Sequence, residues 1–127
     1  MTNTLSEKEI KAIEKLEVIG ISRTEGRTLF HMFNQGESIA VDIERATNLR
    51  QPEVSIATKK LTERGWIKST PIKRNTGKGR PIHRYSFAKR KRDILSSINR
   101  MFSEKIKALE KERETFNALM EAGKKEQ

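Results

Sequence analysis

The side chains best suited to chemistry lie between residues 50 and 80, and their types serve hydrogen bonding and charge neutralisation rather than bond making. In LRQPEVSIATKKLTERGWIKS, residues 49–69, Val54, Ala57, Thr58 and Leu61 recur at three- and four-residue steps. That spacing gives a helix one inward face. Glu53, Ser55, Ile56, Lys59, Lys60 and Glu63 fall on the other face. Further on, KRNTGKGR over residues 73–80 concentrates Lys73, Arg74, Lys78 and Arg80 around two glycines. Bond-making chemistry has no comparable support. No nucleophile stands beside a base, and GKGR lacks the strand–loop–helix setting and spacing of a phosphate-cradling P-loop. The chain has 2 histidines, His31 and His83, and 0 cysteines, so no metal site can be assembled. No catalytic residue, metal or cofactor is expected.

The distribution of charge says what these residues face. The formal net charge is +10. Residues 1–50 carry 7 basic and 8 acidic side chains, residues 51–87 carry 9 and 2, and residues 88–127 carry 11 and 7. Lysines serving only solubility would spread the excess evenly, whereas a neutral segment beside a concentrated basic one marks a polyanion-binding surface. Absent cysteine removes disulfides and thiol redox sensing. No apolar run approaches the ~20 residues of a membrane span, and no signal peptide is legible. The protein is therefore expected to be soluble and cytoplasmic, with no membrane partner.

The flanking elements must position that surface. At 127 residues the chain holds one domain, or one domain and an extension. Ser6 with Glu9 forms a capping box ahead of a stripe through Ile10, Ile13 and Leu16, and Gly20 closes this first helix. Ser22 with Glu25 repeats the box, so a second helix runs from about Arg23 to Asn34 with Leu29, Phe30 and Phe33 in its core. Gly26 inside it costs up to ~1 kcal/mol against alanine and implies close approach of a neighbouring helix. Within the second helix, His31 reads as a satisfied or exposed histidine. After the Asn34-Gln35-Gly36 turn, Ser38-Ile39 makes a short strand. Val41–Thr47 follows as a short helix packed through Val41, Ile43 and Ala46. Asn48-Leu49-Arg50 leads into the helix with the polar outer face, which Pro52 starts and Gly65 stops. Trp66–Ile72, interrupted by Pro71, is an edge strand at best, and Pro81–Phe87 returns as its partner.

From Ala88 the sequence reads as one long helix with no proline, and no glycine before Gly123, followed by a frayed end. Leu95, Ile98, Phe102, Leu109, Phe116 and Leu119 follow a heptad-like rhythm, widened by Ile94, Met101, Ile106 and Met120. Lys105 and Glu112 interrupt the seam. About 35 residues at ~1.5 Å each give a rod near ~50 Å, too long for a small core to cover. A second copy of the chain is the expected partner, making a coiled-coil homodimer.

The stretch IERATNLRQPEVSIATKKLTERGWI, with a basic hairpin after it and a long helix beyond, resembles the winged helix-turn-helix transcription regulators of archaea and bacteria. It is similar to the MarR, ArsR and TrmB-like groups over about residues 6–90. The resemblance implies a mainly α fold with a small β-hairpin. Residues 1–87 would form the DNA-binding domain and 88–127 a dimerisation helix. It also implies a sequence-specific double-stranded DNA-binding regulator. Arg50, Gln51, Glu53, Ser55, Ile56, Lys59 and Lys60 would then face the major groove and its phosphates. Lys73, Arg74, Asn75, Lys78 and Arg80 would contact the backbone or the minor groove. Lys78-Gly79-Arg80-Pro81 also resembles the core of an AT-hook. Glu53 and Ile56 depart from the hydroxyl or basic residues usual at such positions. Glu53 could accept from cytosine N4, or could serve only the helix start. The alternative function is a non-specific chromatin-like DNA-binding protein or a protein-binding winged helix. No sensor domain is legible after the DNA-binding unit, so any effector would have to fit between the helices.

Overall fold

Each of the first two helices starts where a serine and a glutamate satisfy one another's backbone. A computed structural model describes residues 5–72 and 82–125 of the chain, the last three by backbone alone. Helix α1, Glu7–Leu16, begins with the Glu9 N–H donating to Ser6 Oγ at 3.1 Å and the Ser6 N–H donating to Glu9 Oε1 at 2.9 Å. That backbone donor is the main reason the Glu9 carboxyl titrates below its ordinary value. A 3-10 turn, Glu17–Ile19, follows α1. Helix α2, Arg23–Gln35, repeats the device with Ser22 and Glu25. The two helices meet at Gly26, where an added Cβ would lie 2.8 Å from Ile13 Cγ2. The close approach that the glycine implied is there.

Strand β1, Ser38–Ile39, leads directly into α3, Ala40–Thr47. That helix ends at Asn48, which takes the left-handed conformation (φ 59°) that short polar side chains tolerate best after glycine. Helix α4, Gln51–Glu63, buries Val54, Ala57, Thr58 and Leu61, the four positions that the spacing selects. Gly65 (φ 81°) then turns the chain, and the buried Trp66 donates its N–H to Leu61 O at 3.2 Å. Strand β2, Ile67–Ile72, pairs antiparallel with β3, Ile82–Phe87, in a register that sets Ser69 opposite Tyr85 and Pro71 opposite His83. The sheet order is β1-β3-β2, so β2 is an edge strand and tolerates Pro71. The hairpin residues Lys73, Arg74, Asn75, Lys78, Arg80 and Pro81 lie outside the described residues.

Core membership differs in detail from the periodic reading. In α2 the buried residues include Leu29, Met32, His31, Thr28 and Glu25, while Phe30 and Phe33 are half-buried. Phe33 serves a different contact, stacking on Phe87 with ring centroids 5.6 Å apart and lying under Lys91 Nζ at 5.0 Å. In α3 the buried pair is Ile43 and Thr47; Val41 is exposed and Ala46 half-buried. Tyr85 and Ala40 pack on the cluster of Ile43, Leu49 and Val54.

The chain divides into two units, Met1–Ile94 and Leu95–Gln127, the division falling inside helix α5, Lys91–Lys125. In the second unit Leu95, Ile106, Leu109, Phe116, Leu119 and Met120 are exposed and Phe102 is half-buried; Ile98 is 6 % exposed. Among the described residues, no helix is long and apolar enough to cross a membrane.

A buried ion pair joins the two ends of the first unit's helical core. Glu25, with no side-chain exposure, accepts from Arg64 Nε at 2.9 Å, from the Ser22 N–H at 3.0 Å and from Ser22 Oγ at 3.1 Å. Arg64 also donates to Gly20 O at 3.3 Å and lies 5.5 Å from the Trp66 ring centroid. Arg64→Met should cost about 3 kcal/mol in chemical denaturation, because it leaves a carboxylate in a dry site. The double variant E25M/R64M should be less destabilised than R64M alone; additive losses would show that the pair is not the coupling. His31 supplies a second test. It is buried, Nε2 lies 3.1 Å from Ser38 Oγ, and Nδ1 has no partner, so burial lowers its pKa. Above pH ~6.5 neither state is protonated there, and below it the unfolded chain takes a proton that the folded chain resists. Stability should therefore fall as pH drops below ~6.5, and His31→Gln should flatten melting curves recorded between about pH 7 and pH 5.

Candidate nucleic-acid interface

Because α4 commits Val54, Ala57, Thr58 and Leu61 to the interior, its remaining positions are held outward by the packing itself. Gln51, Ser55, Lys59 and Lys60 are exposed, and Ile56 keeps 55 % of its surface in water. An isoleucine left that bare on a rigid helix is suited to contact with an apolar group such as a thymine methyl. Arg50 precedes the helix and is also exposed. Glu53 is half-buried, and its Oε1 accepts the Arg50 N–H at 2.9 Å. Of the two roles open to Glu53, the helix-start role has a bond behind it.

The hairpin completes one wall of this surface. A trough of about 380 Å³ runs between α4 and the sheet. Ser55, Thr58, Lys59, Thr62 and the carboxylate Glu63 line it from the helix end, and Ser69, His83 and Tyr85 from β2 and β3. On the sheet wall Ser69 Oγ and His83 Nδ1 are 2.9 Å apart. Hydroxyls, an imidazole and an ammonium along one channel offer the hydrogen bonds that a sugar–phosphate strand takes up. Ser69, Thr62, His83 and Tyr85 were not among the residues that sequence selected. The period-2 alternation of β3 puts His83 and Tyr85 on one face, but locating Ser69 beside them needed the register, which depends on hairpin length. Lys68 and Arg84 add exposed cations elsewhere on the hairpin. Among the described residues, no group of three or more His, Asp or Glu could hold a metal ion.

No protein-family model matches the chain, and no curated protein matches it. Solved structures do. A possible transcriptional regulator from Methanosarcina mazei Go1 superposes with a TM-score of 0.64 at 14 % identity, covering 81 % of this chain and 84 % of that one. The transcriptional regulator homologue from Pyrococcus horikoshii OT3 gives 0.50 at 16 % identity, covering 80 % and 97 %. The disulfide-formed AbfR gives 0.51 at 17 % identity, covering 87 % and 80 %. The fold is a winged helix-turn-helix. In that frame α3 and α4 are the helix-turn-helix, β2 and β3 bound the wing, and α5 is the C-terminal helix. The mainly α architecture with a small sheet and a long last helix agrees with the reading from sequence.

The Glu53 bond yields a test. Glutamine keeps a side-chain acceptor for the Arg50 N–H but cannot act as a carboxylate toward cytosine. Glu53→Gln should change DNA affinity by the same factor, within about 0.5 kcal/mol, on a selected site and on each of its point variants. A loss of ~1–3 kcal/mol confined to one C·G position would assign Glu53 to base reading instead.

Proposed function

We propose that this chain is a homodimeric regulator of transcription that binds double-stranded DNA sequence-specifically, with α4 in the major groove. The observation that carries the proposal is the outward face of α4. Its inner residues are buried, so Gln51, Ser55, Ile56 and Lys59 are presented by a rigid element rather than a loop. Ser55 and Lys59 make the hydrogen bonds to base edges, and Ile56 meets a thymine methyl. Arg50 and Lys60 neutralise flanking phosphates. Lys73, Arg74, Asn75, Lys78 and Arg80 form the wing's contact with the backbone, and Arg80 enters the minor groove where A·T-rich sequence narrows it. Glu53 maintains the helix start. The description of two structural neighbours as transcriptional regulators supports the same reading.

Dimerisation rests on the second unit. Leu109 and Phe116 are each 61 % exposed, and Leu119 is 67 % exposed. Such a stripe on one helix calls for a partner, and a second copy offers the same stripe. Leu95 and Phe102 extend the seam, and Ile98 lies within its rhythm. Replacing Phe102 and Leu109 with Asp should give a monomer by sedimentation, since charges would be forced into the seam. A monomer for the unsubstituted protein at tens of micromolar would defeat the dimer.

Selection of bound sites from a random DNA pool is the decisive experiment. Two-fold symmetry predicts half-sites about one helical turn, or a multiple, apart. Contact with roughly eight phosphates predicts a log–log salt slope near −7. Ser55→Ala and Lys59→Ala should relax discrimination at particular base pairs by ~1–3 kcal/mol. Arg80→Ala should weaken binding to most sequences and flatten the slope by about one unit per wing. Equal affinity for selected and random DNA would replace specific regulation by non-specific binding.

A further inference from the structure

A second trough shares Ser55, His83 and Tyr85 with the first, and the rest of its lining is more apolar. It encloses about 560 Å³ between α3, the start of α4 and β3, within the ~300–1,000 Å³ usual for small-molecule sites. Ile39, Val54, Ile82 and Tyr85 supply apolar lining, and Tyr85 is steadied by its packing on Ile43, Leu49 and Val54. Glu44 is the carboxylate in this lining. It is half-buried and, among the described residues, has no ion-pair partner within 4 Å. Neither lysine nor arginine lines the trough among the described residues. Among the described residues a phosphate strand meets no lysine or arginine here, only the imidazole of His83, and Glu44 would repel it. A partly desolvated carboxylate beside an aromatic face and aliphatic walls favours a cation carrying an apolar body.

We propose that this trough binds a small amphipathic organic cation, an arylalkylamine, with its ammonium on Glu44 and its ring against Tyr85. Gln51 and Ser55 line the trough and also belong to the outward face of α4. A bound amine therefore covers part of the surface that DNA would use, and the two exclude one another; this last step rests on the DNA-binding reading. An effector can thus act without a separate sensor domain, by direct competition at the start of the reading helix.

The test uses one ring with two charges. Tryptamine and indole-3-acetate are titrated into the full-length, isotope-labelled protein, and amide shifts are followed. Tryptamine should give saturable shifts at Ala40, Glu44, Val54 and Tyr85, with indole-3-acetate binding at least about tenfold more weakly. Glu44→Gln, whose spectrum reports its own fold, should weaken tryptamine by about tenfold, and Glu44→Lys should reverse the preference between the two probes. Equal binding of both probes, or no saturable shift by about 10 mM, overturns the site. In the second arm tryptamine should release the selected DNA from the unsubstituted protein and much less from Glu44→Gln. Binding of tryptamine without release overturns the competition. Failure of the protein to bind any DNA overturns the functional reading alone, because the amine titration is read without DNA.

Discussion

The placement of α4 depends on one carboxylate held out of water. Glu25 caps α2 through Ser22 and, with the same group, ties down Arg64 at the end of α4. One end of that link is 39 residues from the other in sequence, and the carboxylate has no exposure through which water could substitute for either partner. Removing either end leaves a charged or strongly polar group without its partner in a site of low effective dielectric. The guanidinium is in turn flanked by Gly20 O and the Trp66 ring. The exit of α4 into β2 is thus fastened to Glu25 in the first turn of α2 and to Gly20 in the turn before it. With Ala57 and Leu61 fully buried beside it, rotation of α4 about its axis is blocked by packing, and sliding along it is opposed by the ion pair. A surface that reads base edges needs both restraints, since each bidentate contact tolerates only small displacements.

Much of this was legible in sequence because it is local. Both serine–glutamate boxes, the inward quartet of α4, the glycine stop and the edge position of a proline-containing strand follow from spacing and residue type alone. What stayed hidden is non-local. Nothing in the sequence joins Glu25 to Arg64, or decides that β1 pairs with β3. His31 reads as satisfied or exposed, yet it is buried with one nitrogen bonded to Ser38 and the other unmatched. Periodicity could not discriminate, because α2 is contacted on more than one side and its buried arc is wider than a single stripe. The same width explains why Met32 is buried while Phe30 and Phe33 turn toward the Phe87 edge. In the candidate site, the helix residues were found by their period. Ser69 and His83 were missed because their meeting depends on the register of β2 against β3, which residue types alone do not set.

Ser55, His83 and Tyr85 are shared by two neighbouring troughs whose remaining linings differ. Lys59, Glu63 and the hydroxyls of Thr62 and Ser69 complete one; aliphatic walls and Glu44 complete the other. The difference arises from α3, which brings Glu44 beside Gln51 at the start of α4 while the basic excess lies later in the chain. Net charge therefore understates how sharply potential changes across this face, since a neutral N-terminal half and a basic middle meet at the reading helix.

The start of α4 shows how that gradient is built. A helix N-terminus normally attracts phosphate through its unbonded N–H groups and the positive end of its dipole. Here Pro52 removes one donor outright, and Glu53 occupies the Arg50 N–H with a negative charge of its own. The helix end is thereby neutralised in situ. On the proposed reading, phosphate anchoring then falls to side chains, Arg50 and Lys60 at the helix and the cations of residues 73–80. With its own donors engaged and Glu53 negative beside them, the first turn is less positive than a bare helix N-terminus, and it can admit a cation beside Glu44 that a bare end would repel.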